Sequence, residues 1–292
     1  MLTAEHPARV ADAEAIAEPQ VGVVIVSWNA GQALLDCLAS LRANPPSASW
    51  EAIVVDNGSS DGSIERVRDG VPWARVIANP GNRGLAAANN QGIVASRAPF
   101  LLISNPDVVY RPGAIDALLD LLRRRPRAAF AAANLRHPDG RLQTSVGDLP
   151  SAAGALLGRR LARYAPAPGA RMWWHGWGHD EERPVGHGAE ACYLVRRAAI
   201  AEIGLQDERF VLDWEGIDWS ARAWEAGWEV WFCPAATVTH LEGRSRGQVP
   251  RRLIVSAHRG MYLYLARRAR PALRPLLAVV VAARALVRLV LA

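Results

Sequence analysis

An α/β fold, with a mostly parallel central sheet, helices on both faces and a C-terminal helical extension, is what this 292-residue sequence predicts. Three observations carry that reading. Short apolar runs alternate with helical stretches through the first half, with brief connections. The runs are apolar throughout, as in strands buried on both faces. Each run ends in polar residues: Ser27-Trp28-Asn29, Asp56-Asn57-Gly58, Asn79, and Asn105-Pro106-Asp107. Polar groups collected beyond the carboxyl ends of parallel strands form the ligand crevice of open α/β sheets.

Taken in order, Val21 to Ser27 is a β-branched apolar run, followed by a helix from about Gly31 to Ala43. Glu51 to Val55 is a second strand and Ile64 to Asp69 a short helix. Ala74 to Ala78 is a third strand, and Leu85 to Ser96 a helix of small residues. The fourth strand, Phe100 to Ser104, stops abruptly at Asn105-Pro106-Asp107, where proline turns the carboxylate out of the sheet. That placement suits a hard cation bridging phosphate oxygens, and it equally suits an ordinary turn. A helix from Gly113 to Arg125 follows, started by Pro112.

From Ala128 the alternation loosens. His137-Pro138-Asp139-Gly140-Arg141 reads as a hairpin turn. Residues 151–184 are irregular and carry Trp173-Trp174-His175-Gly176-Trp177-Gly178-His179, either a sugar-stacking surface or lid, or local packing. Ala191 to Val195 and Trp228 to Phe232 read as strands, and Glu215 to Ala226 as a helix closed by Gly227.

Composition bounds the rest. Cys37, Cys192 and Cys233 are too few and too scattered for a disulfide framework or a thiolate zinc site. Residues 1–20 lack a basic start and an apolar core; they read as a disordered tail, not a signal peptide, and the protein as cytoplasmic. The net charge of +6 is uneven: every basic residue is arginine, and after Glu242 eleven arginines occur with no acid. Up to that point 23 arginines face 28 acids, a balance of −5. Such asymmetry points to anionic partners. The tail is helical in pattern, with Pro271 and Pro275 dividing Leu253–Arg270 from Leu276–Ala292. Arg274, Arg284 and Arg288 form a narrow stripe on an otherwise apolar helix that is too interrupted to span a bilayer. This fits a helix lying on an anionic membrane surface, or a terminal helix packed on the domain. Nucleic acid is disfavoured, because these arginines alternate with aliphatics and not with stacking aromatics.

No G-x-G-x-x-G follows the first strand and no P-loop is present, which argues against dinucleotide binding and against an ordinary triphosphate site. The stretches VGVVIVSWNAGQALLDCLASL, EAIVVDNGSSDGS, NPGNRGLAAANNQGI, FLLISNPDVVYRPGAI and ACYLVRRAAIAEIGLQDERFVLDWEGIDWSARAWEAGWEVWFCPAATVTHLEGRS instead resemble, in order and spacing, the inverting family 2 glycosyltransferases. The rhamnosyltransferase-like branch of that family is the nearest in pattern. The resemblance implies the Rossmann-like GT-A fold over residues 21–243, with a nucleotide-sugar half over 21–135 and an acceptor half over 136–243. Residues 244–292 then form a basic, apolar extension.

The resemblance further implies that Asp56 holds the nucleotide base, and that Ser27, Asn29, Asn57, Asn82 and Arg83 line base and ribose. Asn105 and Asp107 match the family's metal motif, and His240 a histidine near metal and diphosphate, with Mg²⁺ or Mn²⁺ as cofactor. The implied donor is a nucleoside diphosphate sugar, dTDP-L-rhamnose in that branch. The implied acceptor is a cell-surface glycan or a polyprenyl-diphosphate-linked precursor at the inner membrane face.

The chain departs from the family at two places. Glu-Asp-x-Asp at the helix start, whose second residue is the general base, here reads Glu215-Gly216-Ile217-Asp218. Glu215 is the expected base, with Asp218, three residues on and sharing its helix face, as the alternative. Glu215 equally fits a first-turn acid favoured by the helix dipole. At the second place Glu190 stands where glycine is usual, facing the acceptor or substituting as base. The rival expectation is a nucleotide-sugar-binding relative that Gly216 has deprived of catalysis.

Overall fold

The computed structural model describes residues 18–156, 172–211, 213–241 and 251–290. Most of the expected N-terminal tail, residues 157–171 of the long loop, and the stretch from Glu242 to residue 250 lie outside the described residues.

The predicted alternation is present as β1 (Val21–Ser27), α1 (Gln32–Ala43), β2 (Trp50–Asp56), α2 (Ser63–Gly70), β3 (Ala74–Ala78), α3 (Leu85–Ala95) and β4 (Phe100–Ser104). β1 lies between β2 and β4, and β3 flanks β2, all in parallel. Ser27 pairs with Asp56, and Asp56 with Ala78, so the polar strand ends share one edge. The chain continues through β5 (Val108–Tyr110), α4 (Ala114–Arg124), β6 (Ala128–Arg136), β7 (Val146–Gly147), β8 (Arg183–Pro184), β9 (His187–Gly188), β10 (Cys192–Arg196), α5 (Arg197–Ile203), α6 (Glu215–Glu225) and β11 (Glu229–His240).

Among the described residues the main sheet has nine strands, ordered β3-β2-β1-β4-β10-β6-β11-β5 with β8 against β11. β10 runs antiparallel between β4 and β6, so its start lies beside the carboxyl end of β4, with Cys192 opposite Ser104. Two strands carry weak sequence signals. β6 is rich in alanine and poor in β-branched residues, and β5 is three residues long. β11 runs well past Phe232 because a register shift between Cys233 and Thr237 accommodates Pro234.

The sheet is buried on both faces, as the continuous apolar runs require. Val23 and Ile25 of β1 pack with Leu34 and Leu38 of α1 and Leu118 of α4. Val24 and Val26 join Ala88 and Ile93 of α3, Ile200 of α5 and Trp219 of α6 on the other side. A third core ties in the extension, α7 (Arg251–Arg268) and α8 (Arg274–Val290), separated by a 3-10 turn at Pro271–Leu273. Trp214 and Ile217 at the start of α6 pack there with Met261, Tyr264 and Leu265 of α7 and Val281 of α8. No described helix is long and apolar enough to cross a membrane.

Candidate active site

The loops after β1, β2 and β3 build one side of the site. Asp56, 3 % exposed at the end of β2, accepts the Ser59 N–H at 3.2 and 3.3 Å. Asn29, held in the left-handed region at φ 48°, donates its N–H to Ser59 Oγ at 2.9 Å and accepts the Ser60 N–H at 2.8 Å. Asn57 accepts the Arg83 N–H at 2.9 Å and donates to Asn82 Oδ1 at 3.0 Å and to the Gly84 carbonyl at 3.2 Å. Gly58 lies so close to the next loop that a Cβ there would stand 2.5 Å from Gly81 Cα. These contacts bring Ser27, Asn29, Asp56, Asn57, Asn82 and Arg83 together at one edge. Ser27 Oγ is buried with no hydrogen-bond partner among the described residues, so a polar ligand atom there would satisfy it.

Asp107 and His240 meet through the antiparallel pairing of β5 and β11, which sets His240 opposite Val108. Asp107 Oδ1 lies 3.3 Å from His240 Nε2, and Asn105 Nδ2 lies 3.5 Å from the same nitrogen. The Leu241 N–H donates to the Asp107 carbonyl at 3.0 Å. His240 Nδ1 is 3.0 Å from Gln143 Oε1. With that oxygen as acceptor Nδ1 carries the hydrogen, and the Nε2 lone pair turns toward Asp107. Gln143 is a positioning residue with no sequence signal, a lone glutamine after the 137–141 hairpin. The carboxylate oxygen fits either Mg²⁺ or Mn²⁺, and the imidazole nitrogen beside it favours the transition ion Mn²⁺ of the two. Among the described residues no three His, Cys, Asp or Glu gather to enclose an ion. A cation here would therefore complete its shell with phosphate oxygens and water, as Mg²⁺ commonly does.

The opposite side is built from α6 and the segment entering β10. Asp218 and Glu215, expected to converge, diverge. Asp218 is fully buried and ion-paired with Arg222 at 3.0 Å, Arg267 at 2.6 Å and Arg268 at 3.2 Å. It anchors α7 to α6. Glu215, 4 % exposed, accepts the Trp214 N–H at 3.0 Å and hydrogen-bonds the Glu190 side chain. Glu190, only partly buried, accepts from the Tyr193 hydroxyl and, at 2.5 Å, from Gln206 Nε2. Burial pushes the Glu215 carboxyl up to about 7. Burial, and after it the charge of Glu215, pushes Glu190 well above the usual carboxylate range.

The tryptophan loop resolves toward packing. Trp177 stacks on His179 and meets Phe232 edge-on at 5.2 Å, Trp174 donates to Asp148 at 3.0 Å, and Trp173 meets His187 at 4.8 Å.

A mostly parallel sheet whose edge carries a buried aspartate at the end of β2, an Asn-x-Asp turn and a histidine has the layout of a GT-A glycosyltransferase. The family model described as Glycosyl transferase family 2 matches residues 22–202, and the chain belongs to that family. It is 32 % identical over 261 residues to the N-acetylglucosaminyl-diphospho-decaprenol L-rhamnosyltransferase of Mycobacterium tuberculosis, covering 84 % of each chain. It is 31 % identical to the succinoglycan biosynthesis protein ExoU of Rhizobium meliloti over 53 % of this chain and 41 % of that one. The fold is shared with the mannosyltransferase PcManGT from Pyrobaculum calidifontis in complex with GDP-Man and Mn²⁺, with TM-score 0.60 and 15 % identity over 90 % of this chain and 69 % of that chain. GalNAc-T7 with UDP, GalNAc and Mn²⁺ gives TM-score 0.60 and 16 % identity over 87 % and 51 %.

Proposed function

We propose that this glycosyltransferase moves L-rhamnose, with inversion, from dTDP-L-rhamnose to a polyprenyl-diphosphate-linked glycan precursor. The observation that carries the reading is the Asp107–His240 pair, 3.3 Å apart on the edge that also bears Asp56. The donor and acceptor classes rest on similarity to the mycobacterial rhamnosyltransferase.

In this reading Asp56 accepts hydrogen bonds from the base, while Ser27, Asn29, Asn57, Asn82 and Arg83 line base and ribose. Asn105 and Asp107 face the diphosphate, and Asp107 and His240 hold Mg²⁺ or Mn²⁺. The ion, when bound, offsets the charge that develops on the departing diphosphate. Inversion requires the acceptor hydroxyl to attack from the face opposite the leaving group, with a carboxylate within about 3 Å to receive its proton. Glu215 and Glu190, the latter one residue from the Ala191 carbonyl that accepts the Asn105 N–H, are the carboxylates this reading assigns to that role; the arginines around Asp218 give it a structural task.

The catalytic domain is assigned to residues 21–243 and the extension to 244–292. The outer face of α8 supports peripheral binding on the inner surface of the cell membrane: Leu276, Val279, Leu286, Val287 and Val290 are all more than half exposed. Arg284 turns inward to the Leu156 carbonyl at 2.7 Å, leaving that outer face apolar, while Arg274 and Arg288 stay exposed beside it. Replacing Leu286 and Val287 with serine should release the protein from vesicles containing anionic lipid. Unchanged co-sedimentation would count against the membrane reading.

A binding protein without catalysis remains the rival that Gly216 suggests, and the carboxyl of Glu190 beside that glycine weighs against it. The main reading is tested by thermal shift with dTDP, UDP and GDP sugars, with and without Mn²⁺. Mn²⁺-dependent stabilisation by dTDP-L-rhamnose is expected; stabilisation by no nucleoside diphosphate would overturn the reading.

A further inference from the structure

We propose that Glu190 is the catalytic base, reaching from the segment before β10 into the space that a side chain at position 216 would fill. The proposal rests on the glycosyl-transfer reading and names the group that touches the acceptor. A Cβ built on Gly216 would lie 2.3 Å from Glu190 Cδ, 2.4 Å from Cγ and 2.5 Å from Oε1. No side chain fits at 216 while Glu190 holds this position. The glycine and the glutamate are two halves of one arrangement.

The location suits the reaction. Ala191, next in the chain, accepts the Asn105 N–H through its carbonyl at 2.9 Å, and Cys192 pairs with Ser104. Glu190 therefore stands at the same sheet edge as the Asn105–Asp107 turn, reached from the neighbouring strand. Its carboxyl is held as a reactive group must be. Tyr193 and Gln206 both donate to Oε1. Gln206 is itself fixed by α3: Asn89 donates to its Oε1 at 3.1 Å, Asn90 donates to its carbonyl at 2.9 Å and accepts its N–H at 3.0 Å. Remaining hydrogen-bonding capacity is directed to Glu215.

The charge environment separates Glu190 from a structural carboxylate. Asp218, one turn along α6, is neutralised by three arginines, whereas no ion pair to Glu190 or Glu215 occurs among the described residues. Two hydrogen-bonded carboxyls without a cation share a proton, because both cannot ionise side by side. That pair, net −1, is a base. As the acceptor oxygen bonds the anomeric carbon, the bond from that carbon to the diphosphate oxygen breaks. Its electron pair leaves with the nucleoside diphosphate, and the hydroxyl proton passes to Glu190 as the shared proton moves on to Glu215, leaving the pair neutral. Glu190 retains solvent access, while Glu215 is nearly sealed and accepts the Trp214 N–H, which makes Glu215 the positioning partner.

The test uses the full chain with dTDP-L-rhamnose and a short-chain polyprenyl-diphosphate-GlcNAc acceptor. Glu190→Gln should lower kcat by about 10²–10⁴-fold, the usual size of general-base catalysis, while donor KM and the thermal shift with dTDP stay as in the wild type. Glu215→Gln should displace the pH profile and keep kcat within about tenfold of the wild type. The double variant Glu190→Gly with Gly216→Asp, which returns a carboxylate to the same space from α6, should recover activity that Glu190→Gly alone lacks. Wild-type kcat in Glu190→Gln overturns the assignment of the base and leaves the glycosyl-transfer reading standing. A wild type that transfers from no nucleotide sugar overturns that reading itself.

Discussion

The two sides of the cleft are built on opposite plans. On the donor side, residues from consecutive strand ends hydrogen-bond mainly to one another and to backbone, so the surface is rigid before any ligand arrives. On the side proposed for the acceptor two carboxyls, one nearly sealed and one partly buried, lie against each other with no cation paired to them among the described residues, a costly arrangement. Polar groups that satisfy one another give shape, while groups left in electrostatic tension give reactivity. In the proposed reading, binding belongs to the first wall and proton transfer to the second.

The comparison breaks most severely at its charged centres. Asp107→Ala should cost about 10³-fold or more in kcat/KM, about 4 kcal/mol of transition-state stabilisation, and should abolish Mn²⁺-dependent stabilisation by dTDP-L-rhamnose. Retained metal dependence in that variant would move the cation elsewhere.

A smaller effect comes from the group behind His240. Gln143→Ala removes the partner of Nδ1 and should weaken Mn²⁺ binding about 10–100-fold, read by titration in the presence of dTDP, with acceptor KM unchanged. An unaltered Mn²⁺ titration would show that Gln143 does not orient the ring.

The acceptor wall should declare itself in the pH profile. Glu190 is faced by Tyr193 from β10, by Gln206, and by Glu215 from α6, with Asp213 near Glu215. A raised carboxyl is protonated at low pH and gains base activity as it loses its proton. The pair's first ionisation is that of Glu215, pushed up to about 7 by burial, so the rate should climb as pH rises through about 7 and then level off. Below that point the slope approaches tenfold per pH unit, as for loss of a single proton. Donor binding, measured by thermal shift, should stay flat over the same window. A flat rate between pH 6 and 8 would remove the pair from the chemistry.

Least costly to turnover is the third region, where Asp218 meets the extension. Arg267→Ala with Arg268→Ala leaves a buried carboxylate with Arg222 alone and should destabilise by about 3 kcal/mol at most, since both arginines are partly exposed. The expected readout is a lower Tm with dTDP affinity preserved.

How much of this was legible in the sequence follows the same division. Ser27, Asp56, Asn57 and Asp107 sit at or just past the ends of strands with clear apolar signals, so topology alone places them on one edge. His240 is the exception: it was identified by family resemblance, because its strand passes through a bulge that pattern reading ends at Phe232. The acceptor wall depends on contacts between residues far apart in sequence. Gln206 reaches Asn89 across 117 positions, and Asp218 reaches Arg267 across 49. The i, i+3 spacing of Glu215 and Asp218 suggested convergence, but spacing says nothing about which neighbour satisfies each charge. Glu190 stood out as an oddity and Gly216 as a loss. Only their proximity makes them complementary.

The arginine grip on Asp218 also bears on where this enzyme can be cut. The change in charge after Glu242 invites a truncation there, yet the helix that carries Glu215 and Gly216 is fastened to α7 by side chains twenty-five residues further on. A chain ending near residue 243 would leave the buried Asp218 with Arg222 alone, whereas one ending at Arg270 keeps the fastening and loses α8, with its Val281 of the third core and its Arg284 bond to Leu156. The first half of the extension is thus a splint for the helix that carries Glu215 and Gly216, whatever its second half meets.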